Sequence, residues 1–372
     1  MSPGVSTPFR EASVRSRRTS KLRPSSHCAT EFSLREARQI VGDLFEPRPR
    51  IYWTDFLVSF AVGLACYAMV RRVESLPLAA LLFAISVLSL YRAALFIHEL
   101  AHLRAKSLQG FRMAWNLLYG IPLVVPSFLY TTHWSHHVRK NYATQADGEY
   151  LPLGSEPAGN ILWYLAQSFI IPVLAIVRFL VLTPLAWCSP GLRRWVQQHA
   201  SSMIIDPTYV RPLPTRVELR GWRLQEAAVF IYLAGATALL VAGRLPLTFL
   251  AQAYATAVCA ILLNAVRTLV AHRYLHHGEE VTFLEQMLDS LNFPNWPLVS
   301  GLWAPVGLRF HALHHLFPSL PYHSLAEAHR RLMAQLPADS PYRQTESPGL
   351  WSSLRTLWRN ARACHPATAR GR

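Results

Sequence analysis

Eleven histidines fall into four tight groups: His98 and His102; His133, His136 and His137; His272, His276 and His277; and His311, His314 and His315, each beside a strongly apolar stretch. On a helix, positions three and four apart share a face, so each group can aim at least two ring nitrogens at one point. Imidazole suits iron, copper or zinc. A single zinc takes only three or four protein ligands, so the surplus predicts two metal ions held by nitrogen. Metal-bound histidines normally give their second ring nitrogen to a carboxylate or carbonyl. Glu99, Asp147, Glu149, Asp289 and Glu327 are candidates for that outer position, against the plainer reading of solvated surface acids.

Each group also has a duller meaning. HELAH at 98 fits the zinc protease pattern in which the glutamate is general base, yet a one-zinc protease has no use for three further groups. HWSHH at 133 or HALHH at 311, taken alone, would pass for a surface cluster. His276 and His277 stand evenly between ligand and outer partner, and His323 is intermediate because LPYH lies so close to the last group. His27, His199, His329 and His365 read as ordinary exposed residues.

Such groups need rigid elements to position them. Of 372 residues, 51% are hydrophobic and 16% charged, with mean hydropathy +0.17; soluble domains carry roughly 25% charged residues, so the composition is that of a membrane protein. The first apolar run, 51–70, is interrupted by Asp55 alone, and after Arg71, Arg72 and Glu74 a second goes from Leu76 to Ile97. Each can cross about 30 Å of hydrocarbon. The short link makes a helical hairpin, with Arg92 near enough to its end to snorkel outward. Segments 115–130 and 161–187 are apolar but broken by Pro122 and Pro126 or by Pro172 and Pro184, and read as interfacial or re-entrant. A second hairpin, 227–242 and 245–266, turns at Gly243 and Pro246.

Four crossings bring all the histidine groups to one side, whereas a full crossing at 161–187 would set the later groups opposite the earlier ones. The expected fold is therefore all-α and integral to the membrane. Two transmembrane hairpins, about 51–97 and 227–266, lie under a cytoplasmic helical cap, 98–226 and 267–335, that holds the metal site. Basic tails cover 1–50, partly disordered, and 336–372. The arginine-rich 188–226 stretch and both tails favour the cytoplasm, although Arg71 and Arg72 on the far side count against it. Residues 1–30 are rich in Arg and Ser, lack the apolar core of a secretory signal, and read as tail, with an organelle transit peptide as the other reading.

The formal charge of +16 favours anionic lipid, and no soluble module interleaving basic and aromatic residues argues for nucleic acid. Cys28, Cys66, Cys188, Cys259 and Cys364 form no CxxC pair, so neither a disulfide frame nor an iron–sulfur site is expected. Lys21, Lys106 and Lys140 are the only lysines among 37 basic residues, a skew that suggests a GC-rich bacterial source and hence an inner membrane.

HELAH at 98, HWSHH at 133 and HALHH at 311, separated by hydrophobic hairpins, resemble the membrane fatty acid desaturase and hydroxylase superfamily, and HHLFPSLPYH at 314–323 looks like the segment after the last box in acyl desaturases. The resemblance covers most of residues 50–335. It implies two iron ions, with O2 as co-substrate, ligated by His98, His102, His133, His136, His137, His311, His314 and His315. His272 in AHRYLHH matches the further histidine usual between the later boxes, and Asn264, two turns earlier on the same helical face, could hold a water there.

The implied activity is insertion of a cis double bond into a fatty acyl lipid or thioester, with a hydroxylase or ketolase of lipid, alkane or carotenoid as the main alternative and a zinc intramembrane metalloprotease as a remote one. Trp115, Tyr119, Phe128 and Trp134 are candidates to line an acyl tunnel, or are plain core. Some relatives carry a fused haem domain marked by HPGG, and here only His365 and Pro366 stand in a short tail. A separate ferredoxin-like or haem donor with its reductase is therefore expected, docking on the arginine-rich surface.

Overall fold

The computed structural model describes residues 32–102 and 108–363, and among them the chain is helical, with isolated backbone bridges in place of any sheet. After a short helix α1 (Leu34–Ile40), α2 (Pro49–Val70) begins with proline in its first turn, where the missing N–H costs nothing. It returns as α3 (Leu76–Ala94), and a break at Leu95 leads into α4 (Phe96–His102), which carries the first box. The α2–α3 seam is tight because Gly63 has no side chain: a Cβ there would meet Leu90 at 2.8 Å, and Ser86 Oγ donates to the Gly63 carbonyl at 2.9 Å. Arg92 does not snorkel outward. Its guanidinium makes a two-pronged bond to Asp55 across the hairpin, at 2.6 and 2.5 Å, because pairing removes the need to reach water.

α5 (Gln109–Trp115) runs on as a π-helical turn to Gly120, and the chain reverses around Pro122 and Pro126 with Val124 at φ 61° before α6 (His133–His137) presents the second box. Then come α7 (Ala158–Ala166), α8 (Ile171–Ile176), a π-helical stretch Val177–Leu182, α9 (Thr183–Cys188) and α10 (Pro190–His199). α11 (Arg216–Val241) and α12 (Leu247–Leu269) form the second hairpin, turning at Gly243 with φ 68°. α11 starts well before the expected residue 227, because Thr215 and Glu218 close a capping box ahead of the apolar run. The remaining helices are α13 (Phe283–Asp289), α14 (Pro297–Trp303), α15 (His311–Leu316, the last box), α16 (Leu325–Gln335) and α17 (Leu350–Ala363).

Ordered structure extends beyond the core boundaries expected from sequence. Ala37 on α1 and Leu357 and Ala361 on α17 are buried, so parts of both expected tails pack on the core; the apolar positions Leu350, Leu354, Leu357 and Ala361 recur at helical spacing among arginines. Residues 1–31 and 364–372, with His27 and His365, lie outside the described residues.

Among the described residues five helical segments are long and apolar enough to cross a membrane: Pro49–Val70, Leu76–His102, Ile171–Cys188, Arg216–Val241 and Leu247–Leu269. The third of these, Ile171–Cys188, falls in the stretch expected to be interfacial.

Candidate metal centre

Helical spacing sorts the boxes. On α6, His133 and His137, four apart, face one way and His136 faces another; on α15, His311 and His315 pair and His314 turns away. Nine buried or half-buried histidines thus form two groups, His98, His102, His133, His137 and His314 in one and His136, His272, His311 and His315 in the other, with the ligand atoms of each group within 4.8 Å of one another. His272 lies beyond the end of α12, fixed by its antiparallel bridge to Ser290 and by the Leu291 N–H donating to the Ala271 carbonyl at 2.9 Å.

The donor set fits metal. In the first group Nε2 of His314 lies 3.1 Å from that of His102 and 3.2 Å from that of His137, which is 3.0 Å from that of His133. In the second, Nε2 of His272 lies 3.1 Å from that of His136 and 2.9 Å from that of His311. Metal–nitrogen bonds of about 2.0–2.1 Å set neighbouring ligand nitrogens roughly 3 Å apart. Both ring nitrogens of His98 are buried without a hydrogen bond, a costly arrangement that a cation would relieve. Burial holds His133, His137, His272, His311, His314 and His315 well below the ordinary 6.5, which keeps their lone pairs free for a metal.

Outer partners orient the rings. His136 Nδ1 lies 2.8 Å from Asp147 Oδ2 and His133 Nδ1 2.8 Å from Glu149 Oε2. Although burial pulls His136 down, Asp147 outweighs it and the pKa is raised. Burial pushes Glu149 up to about 7. His272 Nδ1 meets Tyr142 Oη at 2.9 Å and Ser290 Oγ at 3.1 Å, while Asp289 Oδ2 accepts from Tyr142 Oη at 2.6 Å and from Tyr150 Oη at 3.1 Å. Tyr142, Tyr150 and Ser290 had no sequence signal, because no spacing pattern marks a tyrosine or serine that reaches a ring through tertiary contact.

Other candidates stand elsewhere. Glu99 is buried: its Oε2 accepts from Tyr52 Oη at 2.6 Å and the Tyr322 N–H at 3.2 Å, while its Oε1 lies 3.9 Å from His98 Nδ1, beside the ring but beyond hydrogen-bond distance. His276 reaches Glu279 at 3.4 Å and His277 is exposed in the turn at Gly278; neither joins a group. His323 accepts from the Arg48 N–H at 3.1 Å. Asn264 accepts from Arg267 at 3.0 Å, and because α12 ends at Leu269 it shares no helical face with His272. Glu327 is tied to Arg330 and Arg331 on the surface. His329, expected to be exposed, is buried between Tyr342 at 2.8 Å and Glu346 at 2.9 Å, whereas His199 is exposed. Trp115, Tyr119 and Phe128 are core residues, and Trp134, 43% exposed, lies beside His102.

A helical membrane protein with two buried all-imidazole groups is, by class, a histidine-box membrane oxidoreductase. The model of the fatty acid desaturase family matches residues 74–346, and the chain belongs to that family, which is iron-dependent. It is 40% identical over 336 residues to a ceramide hydroxylase of Caulobacter vibrioides (strain NA1000 / CB15N), covering 90% of this chain and 95% of that protein. No solved structure matches the chain.

Proposed function

We propose that this chain is a di-iron, O2-dependent hydroxylase of a ceramide-type membrane lipid. The observation that carries the metal part of the reading is the split of nine histidines into groups of five and four; the substrate and outcome rest on the similarity to the ceramide hydroxylase. Iron would be held by those imidazoles, and it would supply the activation of dioxygen that an unactivated C–H bond requires. The chain's residues do the rest. Asp147, Glu149 and the Tyr142–Asp289 pair hold the rings in one orientation, and burial of both groups excludes water from the reacting carbon. For each C–H bond converted to C–OH, one oxygen atom of O2 enters the lipid and the other leaves as water, with two electrons and two protons drawn from a separate ferredoxin-like or haem donor. The exposed arginines of 188–226 offer an acidic donor a docking face.

Acyl desaturation is the second reading, and His314–His323 is the segment that favours it. Beyond the two box histidines, the polar groups at its end hold the fold: the Tyr322 N–H bonds Glu99, Tyr322 Oη donates to Asp55 at 2.8 Å, and His323 accepts from the Arg48 N–H. They therefore give little reason to prefer loss of a second hydrogen over capture of oxygen.

The topology that suits this chemistry has four crossings. Nε2 of His136 and of His272 lie 3.1 Å apart, so the stretch between them crosses an even number of times. Of its three candidate segments, Ile171–Cys188 is the one interrupted by π-helix and, at 18 residues against 26 and 23, the shortest, and we assign it to the interface. The boxes and both termini then face the cytoplasm of a bacterial inner membrane. Lipid mass spectrometry of a host making ceramide, with and without this chain, tests the function. An added oxygen supports it, and a product lacking two hydrogens favours desaturation.

A further inference from the structure

Away from the histidines, a cavity of 590 Å³ opens where Ile171–Cys188 gives way to α10, with Trp187, Arg193, Arg194, Gln197 and Arg223 in its wall and no carboxylate. Small-molecule sites commonly occupy roughly 300–1,000 Å³. Arg193 in the wall and Arg178 behind it share one buried acid. Arg178 donates to Glu226 Oε1 at 2.5 Å and is otherwise engaged by Thr183, Ser201 and the Ala200 carbonyl. Arg193 Nη1 lies 2.8 Å from Glu226 Oε2, yet its Nε and Nη2 are buried with no hydrogen-bond partner, on a side chain 11% exposed. Two cations against one anion leave a positive excess in a low-dielectric setting, which is costly without a counter-charge. Arg194 and Arg223 add to that excess at the exposed mouth.

We propose that this cavity binds the phosphate of an anionic phospholipid. Arg194 and Arg223 contact the phosphate oxygens, for which guanidinium is well shaped, and the Arg178–Arg193 pair supplies the field behind them. The rim favours a lipid over a soluble anion. Leu174, Val181 and Leu185 are 56%, 45% and 52% exposed along the apolar segment that leads to the cavity, a surface for the acyl chains. Trp187, 48% exposed at its end, has the amphipathic ring enriched at the membrane interface. The cavity stands apart from the histidine groups, and the test reads lipid retention, not turnover.

Native mass spectrometry of the iron-loaded protein in detergent, titrated with phosphatidylglycerol, phosphatidylcholine or inorganic phosphate, tests it. The expected result is one retained phosphatidylglycerol per chain at concentrations where phosphatidylcholine is not retained, and a loss of about tenfold or more in that retention in an Arg194→Gln/Arg223→Gln variant. Both arginines are exposed, so the variant's unfolding temperature without lipid matches the parent's, and Arg194→Gln alone serves if the pair fails to fold. Equal retention of phosphatidylcholine, or undiminished phosphatidylglycerol in the variant, overturns the proposal. Displacement of phosphatidylglycerol by inorganic phosphate at comparable concentration overturns it in favour of a soluble anion.

Discussion

Asp147 and His136 are joined at 2.8 Å through the carboxylate Oδ2 and ring Nδ1, and on the far side of that ring Nε2 lies 3.1 Å from Nε2 of His272. Asp147 also accepts the N–H groups of Ala143 and Glu149. The carboxylate is therefore anchored by its own loop while it turns the imidazole towards the second group. Outer partners of this kind are worth about 10–100-fold in metal affinity, and Asp147→Ala is expected to weaken iron binding by that factor while leaving membrane insertion intact. Chelator competition on the purified protein reads it; unchanged affinity would mean that Asp147 only shapes the loop.

Replacing one histidine from each group separates the two metal positions. His314→Ala and His311→Ala each remove a ring from a different group, and each should abolish turnover and lower the iron content of the purified chain. His276→Ala and His277→Ala should retain both. Full turnover by the His314 variant would take that residue out of the centre.

The lowered histidines set a pH dependence for the metal-free protein. In the folded state burial keeps His133, His137, His272, His311, His314 and His315 neutral well below 6.5, whereas the unfolded chain takes up protons near that value. The unfolded state then binds more protons below about pH 6.5, so stability falls as pH falls through that range and is flat above it. His136, raised by Asp147, contributes in the opposite sense. Thermal unfolding of chelated protein between pH 5 and pH 8, about one and a half units on either side of that value, checks the sign. A rise in stability towards acid would contradict it.

Arg92, Asp55 and Tyr322 clamp the first hairpin to the segment after the last box. Arg92 is about a third exposed, so water screens the pair and Arg92→Met should cost only about 1 kcal/mol. Combined with Tyr322→Phe, the two losses should be non-additive, because both partners bond the same carboxylate. Strictly additive unfolding temperatures would dissolve the clamp.

The boxes were legible because ligation needs helical spacing, and that spacing is visible in HELAH, HWSHH and HALHH. The division of labour within a box was harder to see, since His136 and His314 leave their neighbours for the opposite group only once α4, α6 and α15 are packed together. Glu99 was picked out by its place between two ligands, and its Oε1 does lie 3.9 Å from His98 Nδ1, whereas the bond of its Oε2 to Tyr52 depends on the packing of α2 against α4 and left no local signal. Asp147 was picked out among several acids, whereas its bond to His136 depends on a reversal at Ala143, φ 58°, that no local pattern announces. His329 and α17 were missed because their burial depends on Tyr342 and on Leu357, residues distant from any motif. Arg178 lay unnoticed inside an apolar run, since its acid, Glu226, is on another helix.

A two-iron lipid hydroxylase is marked both by its metal content and by the mass of its product, and one sample can yield both. Purified protein would be assayed for iron and zinc, then given ceramide, O2 and a reduced ferredoxin-like donor, and the lipid weighed by mass spectrometry. Two irons per chain and a lipid heavier by one oxygen atom are predicted. A single zinc would rule out the di-iron centre, and a lipid lighter by two hydrogen atoms would rule out hydroxylation.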